Sequence, residues 1–146
     1  MALLEKQLLV KESTIPESGS GLFTKAFIPQ GTRIVEYKGR ITTWKEVEHD
    51  SDNGYIFTVT PDHVIDARPY KKALARYAND ARGLKRVKGI TNNCQYVSDG
   101  LKVYIESIKD IAAGEEILVG YGKEYWDVVR TNIKLEKEQS RKRQRA

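Results

Sequence analysis

Apolar and polar positions along this chain change their period every few residues, and short alternating runs outnumber helical ones. Residues 6–12 (KQLLVKE), 32–37 (TRIVEY), 55–60 (YIFTVT), 63–66 (HVID), 101–109 (LKVYIESIK) and 116–121 (EILVGY) each predict a short strand. Pro61-Asp62 and Ala113-Gly114-Glu115 supply turns between neighbouring strands. Thr43-Trp44-Lys45-Glu46 has the form of a capping box and predicts a helix over about 43–50, followed by a loop at Asp50–Gly54. A second helical stretch is expected over about 71–78 (KKALARYA), leading into the basic loop NDARGLKRVKGITNN. From about residue 123 the sequence KEYWDVVRTNIKLEKEQSRKRQR predicts a helical end. The pattern describes a mostly-β domain with short helices and no internal repeat.

Length and composition narrow this further. A chain of 146 residues suits one compact core, with 1–130 expected as the domain and 131–146 as a basic helical or flexible tail. Hydrophobic residues at 40% and charged ones at 31% are those of a globular chain. No apolar stretch is long enough to span a membrane, and Glu5 and Lys6 interrupt the N-terminal apolar stretch that a secretory signal would need. The single cysteine, Cys94, excludes an internal disulfide and a cysteine-based zinc cluster, and two histidines are too few for a histidine-rich metal site. An intracellular, metal-free protein is expected. The net charge of +5 lies mainly in residues 131–146, which hold six Lys/Arg and two Glu.

Three segments have the composition of a binding or reaction site. Gly19-Ser20-Gly21-Leu22-Phe23 bends tightly or approaches something closely, because two glycines remove the β carbon where backbone groups face a neighbour. Arg76-Tyr77-Ala78-Asn79-Asp80, followed by Thr91-Asn92-Asn93-Cys94, joins a helix end to a polar loop with amide side chains. Gly114 to Gly122 ends a buried strand on Tyr121, flanked by glycines, just before Glu124-Tyr125-Trp126. No Walker loop, Rossmann fingerprint or zinc-protease helix is present.

Taken in order, these segments resemble the SET-domain family of protein lysine methyltransferases. Gly19–Phe23 is similar to that family's first glycine motif, and Arg76–Asp80 resembles its arginine–aromatic–x–asparagine–histidine motif. Asn92-Asn93-Cys94 resembles the Pro-Asn-Cys that follows, and Ile108–Ile117 leading to Tyr121-Gly122 resembles the closing motif. The resemblance covers about residues 7–127, and the size and Glu-Tyr-Trp ending look like minimal viral and bacterial members. It implies a β-clip with pseudoknot-like threading and two ligands meeting through a narrow channel. It also implies S-adenosylmethionine as cofactor, S-adenosylhomocysteine as its product, and no metal. By motif matching, the backbone around Ser20, Gly21, Leu22 and Phe23 would hold the cofactor's methionine part. Arg76, Asn79 and Asp80 would complete that site, and Trp126 would pack on the adenine. Tyr121 would sit beside the reacting methyl, and Tyr55 would lie near the lysine channel.

Three departures from the family pattern stand out. Asp80 replaces the usual histidine: either the position acts through its backbone and tolerates the change, or a side-chain bond fixes the loop. The zinc-binding cysteines found after many eukaryotic SET domains are absent, leaving Trp126 and the C-terminal helix to close the cofactor pocket. Val119 occupies a position that influences the degree of methylation.

The expected partner is a lysine-bearing basic protein or peptide, drawn to the acidic stretch 36–52, which matches the family's substrate insert. Nucleic acid is a further candidate through the basic stretch 71–88 or the tail, no membrane is expected, and a homodimer is allowed. The compartment would be cytoplasmic in a bacterium, nuclear or chromatin-bound in a eukaryote or virus. The alternatives are a catalytically silent SET-like binding module and a small basic nucleic-acid-binding β-domain.

Overall fold

The computed structural model describes residues 3–49, 55–83 and 85–145, so the loop expected at 50–54 lies outside the described residues. Three small antiparallel sheets surround one core. In the first, β1 (Leu8–Glu12), β2 (Ser20–Thr24) and β9 (Glu116–Ile117) lie in that order. In the second, β3 (Arg33–Glu36), β8 (Lys102–Ser107) and β7 (Cys94–Asp99) follow each other. In the third, β4 (Arg40–Thr42), β6 (His63–Asp66) and β5 (Ile56–Thr60) do so. A four-residue helix, α1 (Trp44–Val47), and a long one, α2 (Lys123–Arg145), complete the described elements together with 3-10 turns at Glu5–Gln7 and Leu74–Tyr77.

β8 shows why the alternating runs become strands. Val103, Ile105 and Ser107 point inward and are buried, while the residues between them are more exposed. Period-two burial is what a half-covered sheet requires. β2 lacks this alternation because it is the central strand of its sheet: Gly21 to Thr24 are all buried, so the sequence reads as a turn instead of a strand. β4 and β7 escape the sequence pattern as well. β4 has only three residues, and β7 pairs through its full length with β8 although its outer half is polar.

Two helical expectations change. Thr43 makes no side-chain cap bond; the Thr42 hydroxyl donates to Glu46 Oε2 at 2.6 Å instead, and the helix stops at Val47. The stretch 71–78 forms only the 3-10 turn Leu74–Tyr77, because Ala78 is extended and Asn79 pairs with the closing segment. Tertiary pairing here overrides a run of good helix formers.

The closing segment is the feature that builds the site. The sequence predicts a strand over 116–121, but sheet pairing ends at Ile117. Beyond it, Leu118 and Val119 run parallel to Asn79 and Cys94, with Val119 N–H donating to Asn79 O at 2.9 Å and Cys94 N–H to Leu118 O at 2.9 Å. Asn93 clamps the same segment from its side chain: its Nδ2 donates to Glu116 O at 2.8 Å and its Oδ1 accepts from Leu118 N–H at 2.9 Å. The chain thus passes between two earlier segments, the arrangement expected of pseudoknot-like threading.

α2 runs without interruption through residue 130, where the sequence placed the end of the domain. Among the described side chains from Arg130 to Lys142 only Asn132 is not exposed. Replacing fully buried Ile105 by alanine is expected to lower the unfolding free energy by about 2–5 kcal/mol in urea titrations. Leu101→Ala, at a 53% exposed turn position, should change it by less than about 0.5 kcal/mol.

Candidate active site

A cleft of about 650 Å³ opens where β2, the 3-10 turn at 74–77, the closing segment and the start of α2 meet. That size lies within the range of small-molecule sites. Ser20, Tyr55, Arg76, Asn79, Asp80, Tyr121 and Trp126, all singled out from sequence, line it. Gly21, Leu22 and Phe23 do not. Leu22 and Phe23 are 0% and 2% exposed, and β2 pairs with a strand on either side of them. Val119 is likewise fully buried and outside the lining.

Gly21 is small for an internal reason. A β carbon there would lie 2.3 Å from Glu116 Oε2. The Glu116 carboxylate fills that space and accepts from Ser13 Oγ at 2.7 Å and from Thr14 N–H at 2.9 Å. It ties β9 to the 13–19 loop, which carries Glu17, Ser18 and Gly19 to the cleft. Of the two glycines in this motif, Gly19 makes the bend, at φ +64°, and Gly21 the close approach.

Asp80 organises the opposite wall. It is 6% exposed, and its oxygens accept four hydrogen bonds. Oδ1 takes the Arg82 N–H and Asn92 Nδ2, each at 2.8 Å. Oδ2 takes the Tyr121 N–H at 2.9 Å and the Trp126 indole N–H at 2.7 Å. Burial alone would raise its pKa, but the bonds from Trp126, Tyr121, Asn92 and Arg82 outweigh it and hold the carboxyl below the usual aspartate value. Of the two sequence alternatives for Asp80, the side-chain one describes this geometry.

Trp126 reaches Asp80 because residue 83 is glycine: a β carbon there would lie 2.4 Å from the indole Cζ2. The indole stacks on the Tyr121 ring at 5.8 Å and 11°, and Tyr125 meets both rings edge-on at about 5 Å. Tyr96 stacks on Tyr121 at 6.3 Å and contacts Phe57 and Tyr37 in turn. Sequence reasoning missed Tyr37, Phe57, Tyr96 and Tyr125. They come from separate segments, Tyr96 from the unrecognised β7, and no local spacing links them.

The Tyr121 hydroxyl donates to the Ala78 carbonyl. Burial first, and then the neighbouring Tyr125, Tyr37 and Asp80, push its pKa well above the usual tyrosine value. Burial does the same to Tyr37 and Tyr96. These phenols stay neutral donors at any physiological pH. On the other side, Asn79 Nδ2 donates to Ser20 O at 3.0 Å and joins the glycine segment to the closing one.

Arg76 lies over the Tyr55 ring at 4.2 Å and donates from Nη1 to Ala67 O at 2.9 Å and Arg68 O at 2.8 Å. Its Nε–H is buried with no acceptor among the described residues. Cys94 is buried behind the site, and desolvation pushes its thiol up to about 12, so it is inert there.

A carboxyl whose folded pKa is depressed binds fewer protons in the folded than in the unfolded state. Its stabilisation is full above the unfolded value of about 3.9 and is lost as pH falls through the folded one. Asp80→Ala should therefore cost about 2–4 kcal/mol at pH 7, since it leaves buried N–H groups unpaired. The gap to the native protein should narrow between pH 4 and pH 3. Urea titrations followed by circular dichroism at pH 7, 4 and 3 check both points.

Comparison with known proteins agrees with this geometry. Residues 19–122 match the SET domain family. Histone-lysine N-methyltransferase EZH2 of Chaetomium thermophilum is 31% identical over 133 residues, covering 82% of this chain and 8% of that protein. Among solved structures, the methyltransferase domain of human PR domain-containing protein 2 has a TM-score of 0.61 at 24% identity, covering 80% of this chain and 77% of that one. A humanized mutant of the Chaetomium thermophilum Polycomb Repressive Complex 2, bound to the inhibitor GSK126, gives 0.66 at 26% identity over 88% of this chain and 16% of that one. The chain spans only 4–18% of the length of the curated relatives it matches. The chain belongs to the SET-domain family and is similar to histone-lysine methyltransferases of that kind.

Proposed function

We propose that this chain transfers methyl groups from S-adenosylmethionine to the side-chain amine of lysine in a basic, histone-like protein. The observation that carries this reading is the wall of neutral, buried phenols around Tyr121, joined through Asp80 to Trp126. S-adenosylmethionine, when bound, supplies an electrophilic sulfonium methyl. The residues present suit such a ligand: Ser20, Arg76 and Asn79 line the cleft with polar groups, and the half-buried Trp126 adds an aromatic ring to the same lining. Ser20, Asn79 and Arg76 would hold its amino-acid end and Trp126 its base.

Methyl transfer is a direct displacement, so the protein must supply alignment and a neutral amine instead of a strong acid. At a reference pKa of about 10.4, roughly one lysine in 2,500 is neutral at pH 7, a deficit of about 4.6 kcal/mol. An apolar aromatic wall lowers that pKa by disfavouring the ammonium. Tyr121 contributes a fixed, neutral hydroxyl and does not accept the proton, because burial pushes its phenol well above the usual tyrosine pKa and keeps it un-ionised. Tyr55, beside Arg76, lines the same cleft and would guide the lysine. Action on a histone-like protein would place the work inside the cell.

The test is transfer of a labelled methyl group from S-adenosylmethionine to lysine in basic proteins. Folded protein that binds neither S-adenosylmethionine nor S-adenosylhomocysteine would sink the reading. Tyr121→Phe is expected to lower kcat by roughly 100-fold with cofactor affinity nearly unchanged. The rise of kcat/KM between pH 7 and 9 should persist in Tyr121→Phe, since it reports the substrate amine. Loss of that rise would make Tyr121 the titrating group and contradict the assignment.

A further inference from the structure

The outer part of α2 has one face that the site does not use. At 100° per residue, Arg130, Lys134, Lys137 and Arg141 fall within about 60° of one another, forming a straight basic stripe about 16 Å long. Trp126 lies one turn before Arg130 on that same face. Because the Trp126 ring packs on Gly83, the stripe leaves the domain beside the loop that carries Arg82, Lys85, Arg86 and Lys88, all exposed. Two basic segments far apart in sequence are thus joined at the Trp126–Gly83 contact. Lys85 reaches Glu17 at 3.2 Å and Arg130 reaches Asp127 at 3.5 Å, exposed pairs that polyanions displace at little cost.

We infer that this combined basic face docks on the phosphate backbone of double-stranded nucleic acid. The reading goes beyond methyl transfer and does not depend on it. The stripe repeats every 4.5–6 Å by helix geometry, which suits a linear, regularly spaced anion. Protein interfaces centre instead on aromatic and apolar anchors and are depleted in lysine, and the stripe has no such anchor. A membrane-surface helix needs an apolar face opposite its charges. Here the far side carries Asn132, Glu136 and Gln139, and beyond Arg130 the apolar residues Ile133 and Leu135 lie on different faces. The 129–133–136–140 row, Val-Ile-Glu-Ser, is too polar for a coiled-coil seam that would pair two copies.

Fluorescence anisotropy of the full chain with a labelled 24-base-pair duplex DNA, at 50–200 mM salt, tests this. Four to five phosphate contacts predict that affinity falls roughly 100-fold or more across that range. Lys134→Gln/Lys137→Gln/Arg141→Gln, which keeps good helix formers, should weaken binding at least tenfold at 50 mM and flatten the salt slope by about three. A variant with the same charge change at exposed sites elsewhere, Lys6→Gln/Lys25→Gln/Lys102→Gln, should stay within threefold of the native affinity. Circular dichroism at 222 nm checks that α2 is retained. No binding at 50 mM salt overturns the proposal, as does equal loss in both variants. Competition by polyglutamate as effective per charge as duplex DNA would assign the face to an acidic polypeptide and overturn it as well.

Discussion

The Asp80 carboxylate brings together four parts of the chain that are remote from one another in sequence. It fixes its own loop through Arg82, the 91–94 segment through Asn92, the closing segment through the Tyr121 N–H, and α2 through the Trp126 indole. A buried carboxylate is costly unless its lone pairs are filled, and here each oxygen accepts two donors. The result is an anchor that positions Trp126 against Tyr121 at the wall of the cleft. An ionised side chain accepting charge-assisted bonds replaces the usual histidine of the motif, and the same depressed pKa that shows the strength of those bonds keeps it ionised.

A second buried carboxylate, that of Glu116, does the corresponding work on the opposite wall. It holds Ser13 and Thr14, and through them the loop that ends in Ser20. The two walls meet where Asn79 donates to the Ser20 carbonyl. The small residues of the site follow from this arrangement: Gly21 makes room for the Glu116 carboxylate and Gly83 for the Trp126 ring. In each case the glycine admits a side chain of the protein itself, and the cleft is shaped by what those side chains leave open.

Much of this was legible in the sequence where local pattern decides structure. The runs at 32–37, 55–60, 63–66 and 101–109 became β3, β5, β6 and β8, of which β8 buries every second residue, and α2 begins where the sequence placed it. Pattern failed where neighbours decide. β2 is flanked by strands and buried on both faces, so it shows no alternation, and β7 borrows its order from β8. The helix expected at 71–78 was cut short because Ala78 is extended and Asn79 pairs with Leu118 and Val119. The site behaved alike. Motif order located Tyr121, Asn79 and Trp126, but not the fourfold bonding of Asp80 or the approach of Tyr96 to Tyr121 and of Tyr37 to Tyr96, which exist only once the chain is threaded.

The organising role of Asp80 is the claim on which the site's geometry rests, and a double-mutant cycle measures it directly. Unfolding free energies of the native protein, Asp80→Ala, Trp126→Phe and the double variant isolate the bond between the carboxylate and the indole. A charge-assisted, buried hydrogen bond predicts a coupling of roughly 1.5–3 kcal/mol. Additivity of the two single changes to within about 0.5 kcal/mol would show that Asp80 and Trp126 act independently, and would contradict the account.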